Sequence, residues 1–220
     1  MLYGIISWFD EPVSWIAASI TSMKALGVDH VIALDGAYIH YPDDRARSSR
    51  SEADAVVHAC DAVDMGVTLV RPHAKIWTEV DKRRVAFHIL NALATPYEDW
   101  CFIIDADEAV VEGFDVRGVL DAATADVGMC QIMEQVDPFG ELGKNVNEKT
   151  KEIYQKIPNE VRIRQSQSRF FRVLPDMTVK YNHYTYIGTA ADGRRVSLRH
   201  DLSEAGYPMA TRFTLSPDVV

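Results

Sequence analysis

The chain has few cysteines, no long apolar run and no excess of basic charge, and each shortage removes a class of protein. Its three cysteines (Cys60, Cys101, Cys130) are an odd number without metal-ligand spacing, which argues for reduced thiols over a disulfide framework or a zinc site. Cys101 and Cys130 lie within apolar runs and read as small core residues. No apolar stretch reaches the roughly 18–20 residues that a membrane span needs, and the opening Met1-Leu2-Tyr3-Gly4-Ile5-Ile6-Ser7-Trp8 lacks the basic segment of a signal peptide. A soluble, cytoplasmic protein is expected. The formal net charge is −9, and residues 1–150 hold 12 Lys+Arg against 25 Asp+Glu, whereas residues 151–220 hold 11 against 7. That balance excludes a general nucleic-acid surface, which needs a broad basic field. The basic last third could still face an anionic acceptor.

What is present is enough apolar residue, 47% of the chain, to exclude a disordered polymer and to core one domain over residues 1–220. The first 130 residues alternate strand-like and helix-like segments, the pattern of a parallel α/β sheet. Strands are expected at Leu2 to Trp8, His30 to Leu34, Val67 to Val70, Trp100 to Ile104 and Val127 to Met133. Between them, Asp10-Glu11-Pro12 opens a helix from Val13 to Leu26 that Gly27 ends. Ser51-x-x-Asp54 resembles a capping box for a helix to about Met65, ended by Gly66. Thr78-x-x-Asp81 resembles another, for a helix through Leu93 with Pro96 beyond it, and a short helix is expected around Val116 to Ala123. Residues 134–160 are a polar excursion with one helix around Glu148 to Lys156. Antiparallel strands then join the sheet at Ser168 to Val173 and Thr178 to Tyr184, with a hairpin turning at Asp192-Gly193. A single domain is expected, with residues 1–133 as its ligand-binding half and residues 134–220 as the half toward a second substrate.

The richest stretch chemically is Asp105-Ala106-Asp107-Glu108, three carboxylates in four residues, placed directly after the apolar run Trp100-Cys101-Phe102-Ile103-Ile104. Such a run is a strand buried on both faces, and open α/β sheets bind ligands beyond their strand ends. Carboxylates crowded there repel one another. A hard divalent cation such as Mg²⁺ or Mn²⁺, carrying a phosphorylated substrate, is the compensation that suits oxygen ligands. A turn or helix cap would need one carboxylate only. Asp35, followed by Gly36 at the second strand end, is placed to accept from a base N–H or a ribose hydroxyl, or to form a turn. Lys82, Arg83 and Arg84 sit in the first turns of their helix, where the dipole disfavours cations, so an anion is expected nearby unless Glu79 and Asp81 pair with them. Arg45, Arg47 and Arg50 lie in a Ser-rich loop that either closes on a pyrophosphate or is simply solvated. His183 and His200 are candidates, one at most, to give a neutral imidazole to the metal. Glu134 and Asp137, after the fifth strand, are the candidate general bases toward an acceptor hydroxyl.

Together these stretches resemble a glycosyltransferase of the GT-A fold, close to the family 2-like transferases. The resemblance is carried by Ile6-Ser7-Trp8-Phe9-Asp10-Glu11, Val31-Ile32-Ala33-Leu34-Asp35-Gly36, Trp77-Thr78-Glu79-Val80-Asp81-Lys82-Arg83 and Asp99 to Glu108, in that order over about the first 130 residues. It implies a mostly parallel sheet flanked by helices, with antiparallel strands added in the C-terminal third. It also implies a nucleotide-sugar donor, UDP- or GDP-linked, and Mn²⁺ or Mg²⁺. Asp35 would hold the base, Lys82 or Arg83 would approach the nucleotide, Asp105 would reach ribose or metal, and Asp107 would bind the cation. Ser7 and Trp8 are further nucleotide-side candidates. Arg169-Phe170-Phe171-Arg172 and Asn182-His183-Tyr184 resemble the strand pair beside the acceptor, but the family's Glu-Asp pair, whose Asp is the base, does not occur after Asp107. Two other readings use the same residues. A haloacid-dehalogenase-type phosphohydrolase would make Asp105 a nucleophile, although three strands precede the motif here. A catalytically silent module would keep the nucleotide site alone.

Overall fold

The computed structural model describes residues 1–42, 44–75, 77–110, 115–135, 162–181, 185–199 and 206–215. Among them the chain runs through β1 (Leu2–Ser7), α1 (Val13–Met23), β2 (His30–Leu34), α2 (Arg50–Ala62), β3 (Gly66–Val70), α3 (Glu79–Leu93) and β4 (Trp100–Asp105). Next come α4 (Arg117–Ala122), β5 (Val127–Gln135), β6 (Arg162–Arg172), β7 (Thr178–Val179), β8 (Tyr186–Thr189), β9 (Arg195–Ser197) and β10 (Arg212–Thr214). Seven strands form one sheet in the order β10-β5-β6-β4-β1-β2-β3. Strands β3, β2, β1 and β4 are mutually parallel, β6 runs antiparallel to β4 and β5, and β10 is parallel to β5. The expected α/β architecture is therefore present, with differences in the C-terminal third, where β10 joins the sheet parallel to β5. β7, β8 and β9 do not extend the main sheet but form a second antiparallel sheet of their own.

Alternation along the strands sends side chains to two cores. Leu2 and Ile6, Val31 and Ala33, and Trp100, Phe102 and Ile104 pack with Ile16 and Ile20 of α1 and Val56 and Cys60 of α2. Tyr3 and Ile5, Ile32 and Leu34, and Cys101 and Ile103 pack with Ala86, Phe87 and Leu90 of α3, and with Tyr186 and Val196 of the small sheet. This explains the unbroken apolar runs in the sequence, since each central strand is covered on both faces. It also assigns Asp105, two residues beyond Ile103, to the α3 face.

Helix boundaries departed from expectation where a different cap won. The N-cap of α2 is Ser49, two residues before the expected Ser51, and Ser49 and Glu52 form the reciprocal capping box. The same helix ends before Gly66, which is the first residue of β3; Asp64 supplies the left-handed turn at φ 52°. Asp10 does not cap α1, whose first residue follows Pro12 without a side-chain cap. Instead Asp10 takes φ 59° and is held by Arg45 at 2.8 and 3.0 Å. Thr78 does cap α3, accepting from the Asp81 N–H at 3.1 Å. Gly193, at φ 82°, turns the chain between β8 and β9, as its Asp-Gly pair led one to expect.

Candidate functional site at the carboxyl edge of the sheet

Strand order reverses at β1. β2 and β3 run off one side and β4 lies on the other, so the crevice at the topological switch point opens beyond Ser7 and Asp105. These two residues are direct register partners. Ser7 Oγ and the indole Nε1 of the next residue, Trp8, are buried without a hydrogen-bond partner among the described residues, a rare condition for buried polar atoms.

The acidic stretch after β4 is a closed turn. The Glu108 N–H donates to the Asp105 carbonyl at 3.1 Å, and the Asp105 N–H donates to Glu108 Oε2 at 3.0 Å. From α1, Ser19 Oγ donates to the Ala106 carbonyl at 3.0 Å and also meets the Glu108 carbonyl. Glu108, whose part the sequence left open, is thus a brace of the turn.

The turn divides its charges between two environments. On the α3 face, Arg83 Nη2 donates to Asp105 Oδ1 at 2.7 Å and Arg169 Nη1 lies 3.7 Å from Oδ2. Arg169 also reaches the Ile103 carbonyl at 3.2 Å and Glu108 Oε1 at 2.5 Å. Burial alone would raise the Asp105 carboxyl, but Arg83 and Arg169, with a further pull from Arg199, hold it below the usual carboxylate value. Glu108 is raised, chiefly by burial, which Arg169 only partly offsets. On the other side Asp107 is exposed. Its charge is felt by Glu11, which is raised by its own burial and by the charges of Asp107, Glu52 and Asp10.

The expected compensation of crowded carboxylates by a cation therefore has a rival within the chain. Two arginines, one from α3 and one from β6, already neutralise Asp105 and Glu108. Sequence reasoning gave Arg169 no role of its own. The available signal was an arginine set in the apolar strand Arg169-Phe170-Phe171, where a charge must be paired if it is to be buried. Arg199 was missed as well; it donates to the Tyr186 hydroxyl at 3.1 Å.

Asp35 and Lys82 serve the walls of the crevice. Asp35, expected to meet a base, is fully buried. Its carboxylate accepts from the Ser48 N–H at 3.0 and 3.2 Å and from Arg71 Nε at 2.9 Å. Arg71 also donates to the Ser48 carbonyl at 2.6 Å, so the pair pins the loop between β2 and α2. Lys82, expected to present its charge to a phosphate, is equally buried. Its Nζ donates to the Trp8 and Gly36 carbonyls, both at 2.8 Å, and lies over the Tyr38 ring. Burial drives its amine down to about 7, against the pull of Asp35. The helix-dipole argument placed an anion beside this basic triplet; the partners found are two strand-end carbonyls for Lys82 and a carboxylate for Arg83. In the Ser-rich loop, Arg45 pairs with Asp10 and Arg50 lies 3.6 Å from Asp54, while Arg47 is exposed.

The Glu134 backbone pairs with Ile163 inside β5, which ends at Gln135, two residues beyond the expected end at Met133. Asp137, His183, His200 and the excursion helix lie outside the described residues. For a divalent cation, the donor chemistry fits on the Asp107 side. An exposed carboxylate with Glu11 nearby, completed by phosphate oxygens and water, is what Mg²⁺ or Mn²⁺ takes. Asp105 fits less well, its oxygens being turned toward arginines. Among the described residues, no three His, Cys, Asp or Glu side chains form a metal cage, and no helix is long and apolar enough to cross a membrane. No family model matches the chain, and no curated protein matches it.

Proposed function

We propose that this protein is a cation-assisted glycosyltransferase of the GT-A type, moving a sugar from a UDP- or GDP-linked donor to an acceptor hydroxyl. The observation that carries the reading is the position of the Asp105–Glu108 turn: it stands at the switch point, where Asp105 is the register partner of Ser7, whose buried hydroxyl has no partner among the described residues. A mostly parallel sheet between helices also supports the reading, although the resemblance implies several antiparallel strands added to that sheet and, among the described residues, β6 alone is one. In this reading the base and ribose lie along the loop braced by Asp35 and Arg71, and the diphosphate meets the turn. Asp107 holds the cation, with Glu11 as neighbour. When bound, the cation offsets the charge that grows on the departing diphosphate. Arg83 and Arg169 keep Asp105 ionised and the turn in place, while Lys82 fixes the separation of the β1 and β2 ends. The base toward the acceptor is sought at Glu134 or Asp137, and an imidazole for the metal at His183 or His200. The phosphohydrolase alternative needs Asp105 free to attack phosphorus, and its pairing with two arginines weighs against that.

The test is a panel of nucleotide sugars with Mn²⁺ and with Mg²⁺, read by nucleoside diphosphate release and by thermal shift. A true donor at a hundredfold excess over Kd adds about 2.7 kcal/mol to folding stability. Release with one donor, abolished in Asp107→Asn, supports the assignment. Stabilisation by a donor without release, across a range of acceptors, reduces the protein to a binding module. Neither effect with any donor refutes the reading.

A further inference from the structure

The arginines around Asp105 are more than the ion pairs need. Arg83 and Arg169 have side chains only 9% and 5% exposed, yet Arg83 Nη1 and Arg169 Nε find no acceptor among the described residues. Each is a charged donor stripped of water with no bond in return, a costly state for a purely structural bridge. The Asp105 side chain, by contrast, is 39% exposed. The carboxylate thus stands at the mouth of the cluster, between two inward guanidinium groups and the crevice, with Arg199 adding its charge from the segment that follows β9.

We propose that Arg83 and Arg169, assisted by Arg199, form an anion site that the Asp105 carboxylate occupies in the ligand-free chain, and that a phosphate or diphosphate displaces it. Guanidinium groups suit this exchange, because their planar fork of donors binds carboxylate and phosphate oxygens alike. A phosphoryl group offers more oxygens and more charge than one carboxylate, so it can satisfy donors that Asp105 leaves open. Displaced, Asp105 turns from the arginines toward the side of the turn that carries Asp107. The site therefore binds phosphate without a cation, and Asp105 works against that binding. If the phosphate belongs to a nucleotide-sugar donor, this rests on the function proposed above; the anion site itself does not.

The experiment is calorimetric titration of the full chain with inorganic pyrophosphate in EDTA, for the parent, Arg169→Gln, Arg169→Lys and Asp105→Asn. The parent is expected to bind, Arg169→Gln to bind about tenfold or more weakly, and Arg169→Lys to fall between them. Asp105→Asn keeps the shape and removes the competing charge, so it is expected to bind several-fold more tightly than the parent. A purely cation-bridging role for Asp105 predicts instead that neither protein binds pyrophosphate in EDTA. Absence of pyrophosphate binding in both the parent and Asp105→Asn overturns the proposal. So does unchanged affinity in Arg169→Gln, or weaker binding by Asp105→Asn. Should Arg169→Gln fail to fold, the Lys and Asn arms decide alone. A nucleoside diphosphate titrated in parallel separates the sources: tighter binding than pyrophosphate, with the same response to Arg169→Lys, supports the site as a nucleotide's. Pyrophosphate binding with these responses, but without turnover of any nucleotide sugar, keeps the anion site and removes the transferase.

Discussion

Lys82 is the most heavily perturbed basic side chain described, and its replacement by methionine has a calculable signature. The amine is buried, donates to the carbonyls of Trp8 and Gly36, and has its acidity shifted from the ordinary 10.5 to about 7. Between these two values the unfolded chain binds a proton that the folded one does not, so stability rises with pH across the window. Below about pH 7 the cost of burying the charge is fully present, and above pH 10.5 it is gone. A neutral amine still has two N–H groups, so both carbonyls stay satisfied as the proton leaves. Methionine keeps the length and apolar stem, cannot titrate, and orphans both acceptors. At about 1.4 kcal/mol per pH unit, the stability advantage of the parent over Lys82→Met should widen by roughly 2.5 kcal/mol between pH 6 and pH 9. Urea unfolding of both proteins at several pH values measures the difference directly. A gap that stays constant, or narrows as pH rises, would refute a buried and depressed lysine.

Asp35→Asn should cost about 3 kcal/mol in chemical denaturation, toward the low end for a broken buried pair because Arg71 keeps some exposure; a loss below about 1 kcal/mol would mean that the pair does not hold the loop. Gly36→Ala should also destabilise strongly. Gly36 lies at φ 118°, and a Cβ would stand 2.6 Å from Trp77 Nε1 and 2.7 Å from Pro72 Cγ, so a neutral result in thermal melting would contradict this backbone path. Ser49→Ala should remove about 1 kcal/mol by deleting the α2 capping box, while Ser51→Ala should change stability by no more than about half that. Unfolding curves of the two serine variants decide which serine starts the helix.

Much of the framework was legible because its signals are local and periodic. The apolar runs of β1, β2 and β4, the Thr78 cap and the Asp-Gly turn between β8 and β9 each occupy a few adjacent residues, and the physics that fixes them acts over that distance. The starting residue of α2 was misread because Ser49 and Ser51 offer the same side-chain chemistry two residues apart. The choice fell to Ser49, from which Glu52 can return the hydrogen bond. Detachment of the β7-β8-β9 sheet had no local signature at all, since strand pairing is a relation between distant segments.

The acidic turn shows the same division at the scale of the site. Sequence by itself determined that three carboxylates follow a doubly buried strand, that the strand ends where α/β sheets bind ligands, and that such a concentration of negative charge needs compensation. Only the tertiary structure decided what compensates which carboxylate. Side-chain alternation along β4 turns Asp105 to the face covered by α3, where Arg83 waits, and the antiparallel insertion of β6 brings Arg169 across a separation of more than sixty residues. Asp107, two residues on and beyond the strand, is left to the solvent and to Glu11. Charge is written in the sequence, but its partner is set by which strands become neighbours, and electrostatic pairing depends on a few ångströms that only the fold supplies.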